Sequence, residues 1–251
     1  MNVKFIAFSC THCPLEDPEA IRWLHQQIED VKPDYVIHLG DLLEADSASR
    51  FPAENPWDLK DEFDAAERML SGIREVGGPD CTYVMLEGNH DLAVRDQNRI
   101  DKRLRSLCDW RDLKEMDNWV VGAEYNYCRK RGVYRLGQVA FSHGFECGSN
   151  AGAQQSVYLG NEYGLFVWGH SHRPEQVQQT MWTKTRPLRY WHANAGSLAN
   201  MDREYMRRKR KQMWGQACVV GECALTKSPR LSRCWSAETR IFRMYGDTYE
   251  L

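Results

Sequence analysis

Apolar runs that stop abruptly at metal-ligating side chains recur along this chain, and they restrict its fold more tightly than any other feature. Residues 3–8 run into Ser9-Cys10-Thr11-His12, residues 35–39 into Gly40-Asp41, and residues 82–86 into Gly88-Asn89-His90-Asp91. Further on, a hairpin-like stretch over 132–141 runs into Ser142-His143-Gly144, and residues 165–168 run into Gly169-His170-Ser171-His172. Short apolar runs bounded by turn residues read as buried strands. Helical stretches separate the first three. Asp17-Pro18-Glu19 reads as an N-cap, a proline at the first helical position and an early acid, opening a helix to about residue 31. Leu59, Phe63, Ala66, Met69, Leu70 and Ile73 recur at helical spacing within 58–76, and a charged helical segment is expected over about 94–117. Strands alternating with helices predict an α/β architecture, and in open α/β sheets ligands bind beyond the carboxyl ends of the strands.

The composition supports a packed core. Of 251 residues, 42% are apolar and 27% charged, far from the low-hydrophobicity signature of disorder. No linker, repeat or low-complexity stretch divides the chain, so one domain over 1–251 is expected, with a basic C-terminal segment from about 200. No apolar run approaches the roughly 18 residues of a membrane span, and Lys4 precedes an apolar run too short for a secretory signal. A cytoplasmic protein without a membrane partner is expected. Nine cysteines, an odd number at irregular spacing, read as reduced thiols.

Five of the eight histidines follow predicted strands, joined there by Asp41 and Asn89. Imidazole nitrogens, a carboxylate and an amide oxygen suit divalent first-row metals. A single histidine at a strand end is usually a satisfied polar residue; five of them, with Gly-Asp, Gly-Asn-His and Gly-His-x-His around them, are not explained that way. At these residues the chain resembles the calcineurin-like metallophosphoesterase superfamily. The motifs are Cys10-Thr11-His12, Gly40-Asp41-Leu42-Leu43-Glu44, Gly88-Asn89-His90-Asp91, a lone His143, and Gly169-His170-Ser171-His172, with Asn194-Ala195-Gly196-Ser197 similar to the usual downstream Gly-Ser turn. The resemblance implies a four-layer αββα sandwich, two mixed sheets flanked by helices, with two divalent metals at the strand ends. One metal would take Cys10, His12, Asp41 and His172; the other would take Asp41, Asn89, His143 and His170. Two such ions about 4 Å apart hold a phosphate ester and acidify a bridging water to hydroxide near neutral pH. By the same resemblance His90 protonates the leaving oxygen, and Glu44 orients the His90 ring. Alone, Glu44 reads equally as a solvated loop acid.

The superfamily's first motif begins with Asp, and here that position is Cys10, as in RNA lariat debranching enzymes; the likeness to those is one position deep and says nothing of substrate. A thiolate is softer and its metal bond slightly longer, which favours Zn or Fe, admits Mn and disfavours Mg. Otherwise Cys10 is a small non-ligating side chain beside a weak site. Cys10-Thr11-His12-Cys13 is also a C-x-x-C after a strand, as in thioredoxin-like redox proteins, but that reading leaves the other ligating residues unexplained. An inactive metal-binding interaction module is a third possibility, opposed by His90 and the nearly complete ligand set.

The chain lacks the Arg that follows the Gly-Asp motif in protein Ser/Thr phosphatases, and a phosphodiesterase is favoured over a phosphomonoesterase. Residues 173–251 hold 15 basic and 7 acidic side chains, a charge of +8, which leaves 18 against 28, or −10, for residues 1–172. Arg207, Arg208, Lys209, Arg210 and Lys211, flanked by Tyr205 and Trp214, could engage a nucleic acid backbone and stack bases, or simply form a solvated face. A phosphoester, either nucleic acid or nucleotide, is therefore the expected partner. Nothing in the chain speaks to oligomeric state.

Overall fold

A computed structural model describes residues 1–48, 57–101, 109–125, 132–148, 150–159, 164–182, 187–201, 213–225 and 235–245. Two mixed sheets face each other. The first has the order β11-β10-β1-β2-β3-β4, in which β1 (Asn2–Phe8), β2 (Tyr35–His38), β3 (Thr82–Leu86) and β4 (Val120–Ala123) are parallel, while β10 (Trp214–Ala224) and β11 (Trp235–Tyr245) form an antiparallel hairpin against β1. The second has the order β5-β6-β7-β9-β8. There β6 (Val139–Ser142), β7 (Leu165–Trp168) and β9 (Pro187–Asn194) are parallel, with β5 (Tyr134–Leu136) and β8 (Glu175–Trp182) antiparallel at the edges.

Alternation along the strands divides the core into layers. Phe5 and Ala7 of β1, Ile37 of β2 and Val84 of β3 meet Phe141, Val167 and Ala193 of the second sheet. Phe5 and Phe141 pack edge to face with ring centroids 5.0 Å apart. Ile6, Phe8, Val36 and Met85 point the other way, under α1 (Pro18–Val31) and α2 (Leu59–Gly77), which supply Leu24, Ile28, Leu70 and Ile73. On the outer face of the second sheet, Ala140, Phe166 and Trp168 meet Ala151 of α4 (Ala151–Leu159). The layers run helix, sheet, sheet, helix. Each fully buried Phe, Leu or Ile contributes about 1.5–3 kcal/mol by leaving water.

The helix boundaries follow local chemistry. The Asp17 side chain accepts from Glu19 N at 2.9 Å ahead of Pro18, and α1 stops at Lys32, which is left-handed at φ 49°. Asp58 and Asp61 form a reciprocal capping box on α2. The single helix expected over 94–117 is not what forms. Instead α3 spans Asn89–Ile100 with Gly88 as its N-cap, and the chain over 110–112 and 114–118 makes short 3-10 turns. The first of those turns is capped by Asp109, and it buries Trp110, whose indole donates to Glu87 at 2.9 Å.

The basic segment after residue 200 carries the β10–β11 hairpin. Its β10 lies between β1 and β11, so the hairpin is part of the first sheet. Gln216 Nε2 donates to Asp17 at 2.8 Å and to the Ala199 carbonyl at 3.1 Å, which ties β10 to the start of α1. Arg207–Lys211 and Tyr205 lie outside the described residues. No helix among the described residues is long and apolar enough to cross a membrane.

Candidate metal centre

The parallel strands of both sheets end at one rim of the sandwich, and the predicted ligating residues sit on the loops just beyond. Cys10 and His12 follow β1, Asp41 follows β2, His143 follows β6, and His170 and His172 follow β7; Asn89 and His90 occupy the first turn of α3, after β3. The glycines of these motifs have a steric reason. A Cβ on Gly40 would lie 2.5 Å from Gly88 N, and one on Gly88 would lie 2.2 Å from both Asp41 N and Asp41 Oδ1. The two loops touch backbone to backbone, which brings Asp41 and Asn89 together. Five of the candidate ligating residues are left-handed: Cys10 (φ 55°), His12 (50°), Asp41 (55°), His170 (63°) and His172 (58°). Non-glycine residues adopt this conformation at a cost on the order of 1 kcal/mol or more each, and such strain concentrates at functional sites.

Hydrogen bonds hold the loops in place. Cys10 N donates to Gly40 O at 3.0 Å and His12 N to Asp41 O at 3.1 Å, continuing the β1–β2 pairing. Ser197 of the Gly-Ser turn donates its hydroxyl to Cys10 O at 2.7 Å. Two supporting residues have roles that the sequence does not indicate. Buried Asp91 accepts from Gly88 N (2.8 Å), Asp41 N (2.9 Å), Leu42 N (3.0 Å) and Leu43 N (3.1 Å), so one carboxylate gathers both ligand loops. Buried His38 accepts from Gly40 N at 3.0 Å through Nδ1, which leaves the Nε2 proton for Thr11 Oγ1, also at 3.0 Å. Burial lowers its pKa to about 3, keeping the ring neutral. An apolar strand ending in His gave no sign of this role; Asp91 stood within a recognised motif but without a partner to assign.

The donor atoms converge. Ligand atoms of Cys10, His12 and His172 lie within 4.8 Å of one another, and so do those of Cys10, Asp41 and His143. His143 Nε2 is 3.2 Å from Asp41 Oδ2, 3.1 Å from Asn89 Oδ1 and 3.1 Å from His170 Nδ1. His12 Nε2 faces His172 Nε2 at 3.3 Å, and the buried His172 Nδ1 has no hydrogen-bond partner. Burial lowers the pKa of His12, of His172 well below the usual value, and of His170 to about 4, so these rings are neutral, with nitrogens facing one another. Burial would raise the Asp41 carboxyl, but His143, His90 and His12 around it hold it well below the usual carboxylate range. Burial, then the Asp41 charge, pushes the Cys10 thiol well up. A sulfur, several imidazole nitrogens, an amide oxygen and an ionised carboxylate packed this closely fit divalent cations, for which all of them are suitable donors.

His90 and Glu44 are adjacent, in an arrangement different from the one expected. The His90 ring packs edge to face on His12 at 4.7 Å, and its Nδ1 lies 2.5 Å from the backbone carbonyl of Glu44. Burial would lower the His90 pKa; Asp41, Glu44 and the Glu44 carbonyl outweigh it and raise it. The Glu44 carboxylate lies against His12, Oε2 to Nδ1 at 2.9 Å. The chain turns at Ala45, left-handed at φ 57°, and this aims the Glu44 carbonyl and carboxylate at different rings.

Residues 3–174 match the family described as calcineurin-like phosphoesterase. The gene 54 protein of Mycobacterium phage D29 is 24% identical over 212 residues, covering 80% of this chain and 81% of its own length. Among solved structures, the phosphoesterase YfcE from E. coli is 14% identical with a TM-score of 0.41, over 97% of this chain and 98% of that one. Vps29 of Chaetomium thermophilum is 12% identical with a TM-score of 0.39, over 96% and 97%.

Proposed function

This chain belongs to the calcineurin-like phosphoesterase family, and we propose that it is a working hydrolase of phosphodiesters, with a nucleic acid or nucleotide as substrate. The observation that carries the proposal is the gathering of Cys10, Asp41, His143 and His172, from four separate strand ends, around His12 and beside His90. Cys10, His12, Asp41 and His172 would hold one divalent cation, and Asp41, Asn89, His143 and His170 a second, with Asp41 shared. When bound, such a pair supplies positive charge for the phosphoryl oxygens and a water acidified towards neutral pH. The sulfur of Cys10 favours Zn or Fe at the first position, with Mn acceptable and Mg disfavoured.

The remaining chemistry belongs to the chain. His90 is the general acid; with Nδ1 committed to the Glu44 carbonyl, the proton for the leaving oxygen is carried on Nε2. Against burial, the nearby Asp41 and Glu44 charges favour that proton. Glu44 orients His12 through its carboxylate and His90 through its backbone. Asp91 and His38 keep the loops in register, so that the donors are arranged before substrate arrives. The basic run Arg207–Lys211 would meet the backbone of a polyanionic substrate.

A panel of phosphodiesters and phosphomonoesters, each assayed with Mn, Zn, Fe and Mg, tests the proposal. Diesters should be turned over with Mn, Zn or Fe in preference to Mg, and His90→Ala should lower turnover by about 100-fold or more while leaving metal content unchanged. Turnover of monoesters alone would make the chain a phosphomonoesterase. No turnover on any substrate, with metals bound, would make it an interaction module.

A further inference from the structure

His170 presents its two ring nitrogens to different surroundings. Nδ1 faces the cluster, 3.1 Å from His143 Nε2, while Nε2 lies 3.3 Å from the sulfur of Cys147. Cys147 is exposed, whereas Cys10, Cys13, Cys81, Cys218 and Cys223 are buried. The loop that carries it is anchored on both sides. Phe145 N donates to the Gln155 side chain of α4 at 2.9 Å, and Arg173, which follows His172, donates to the Gly148 carbonyl at 3.4 Å.

A neutral imidazole carries one proton, and whichever nitrogen holds it has no lone pair for a metal. We propose that Cys147 is a positioning residue that accepts the Nε2 proton of His170 and thereby keeps the Nδ1 lone pair on the cluster. This rests on the metal-binding reading above. Because the thiol is open to solvent, occupancy of the cation held by His143 and His170 depends on the chemical state of Cys147. A maleimide makes the point chemically: the sulfur adds to one alkene carbon, the thiol proton ends on the other, and the bulky thioether no longer fits against the ring.

The test is the affinity of the metal-stripped, full-length protein for Mn and Zn, measured by competition with a chromophoric chelator. Cys147→Ala should weaken one of the two equivalents by about 10- to 100-fold, and Cys147→Ser, which retains an acceptor, should restore binding close to wild type. N-ethylmaleimide should weaken wild type and leave Cys147→Ser unaffected, which separates Cys147 from the other cysteines. Cys147→Ala binding both equivalents as tightly as wild type would overturn the assignment while leaving the phosphodiesterase proposal intact. Wild type that binds neither metal would overturn both.

Discussion

At Cys10 a soft donor stands in an otherwise nitrogen- and oxygen-rich cluster. The side chain is fully buried, held by the Ser9 hydroxyl 3.2 Å from its sulfur and by Ser197 on its carbonyl. Burial and Asp41 together oppose its ionisation, and a bound cation would supply the charge that stabilises the thiolate. Cys10→Asp exchanges that sulfur for a harder, shorter-bonding oxygen and should move the metal recovered with the protein from Zn or Fe towards Mn. Elemental analysis of both proteins decides it; identical contents would mean that Cys10 is not a ligand. The residue types and their order were legible because metal donors are few and their spacing is distinctive. Which atom of Glu44 meets which histidine was not legible, since that depends on the left-handed turn at Ala45.

At the scale of elements, the start of α2 is fastened to the loop after β2 by Glu62, a fully buried carboxylate that accepts from Ala45 N at 2.8 Å and Asp46 N at 3.1 Å. Burial pushes its pKa from 4.5 to about 7 despite those two bonds. The folded protein therefore holds this proton more tightly than the unfolded chain. The associated stability is fully present below about pH 4.5 and lost as pH rises to about 7, by up to about 3 kcal/mol. Urea midpoints for wild type and Glu62→Gln should converge or cross over that window and run parallel above it; parallel curves from pH 4 upward would show that Glu62 is ionised throughout. The strands were legible for a related reason: β1, β2, β3, β6 and β7 are short apolar runs cut off by Gly or polar residues. The start of α3 was not. Asn89-His90-Asp91 reads as loop, yet it forms the first turn of a helix because Asp91 folds back to accept from Gly88 N. The β10–β11 hairpin was hidden for the opposite reason. Its outer strand is half-exposed along its length, with Ile241 and Met244 open to solvent, so no clean alternation marks it.

At the scale of the whole molecule, the chain divides its charge unevenly, −10 over residues 1–172 and +8 beyond. The acidic part carries all the candidate ligating residues, and the basic part returns to the same rim: Trp214, the first residue of β10, packs its ring on His172 at 5.2 Å. If a polyanion binds across that rim, replacing Arg207–Lys211 with Gln should weaken binding of single-stranded oligonucleotides and flatten the dependence of log affinity on log salt by about 3 to 4 charges' worth. An unchanged slope would remove nucleic acid from the proposal and leave a small phosphodiester.

On the proposed function, this rim holds two divalent cations and uses them on a phosphodiester. Titrating Mn into metal-stripped protein while following hydrolysis of bis-p-nitrophenyl phosphate tests it most directly. Activity should rise steeply with the second equivalent and be absent from Asp41→Asn at every occupancy. Hydrolysis that is saturated by one equivalent, or that survives in Asp41→Asn, would contradict the shared two-metal centre.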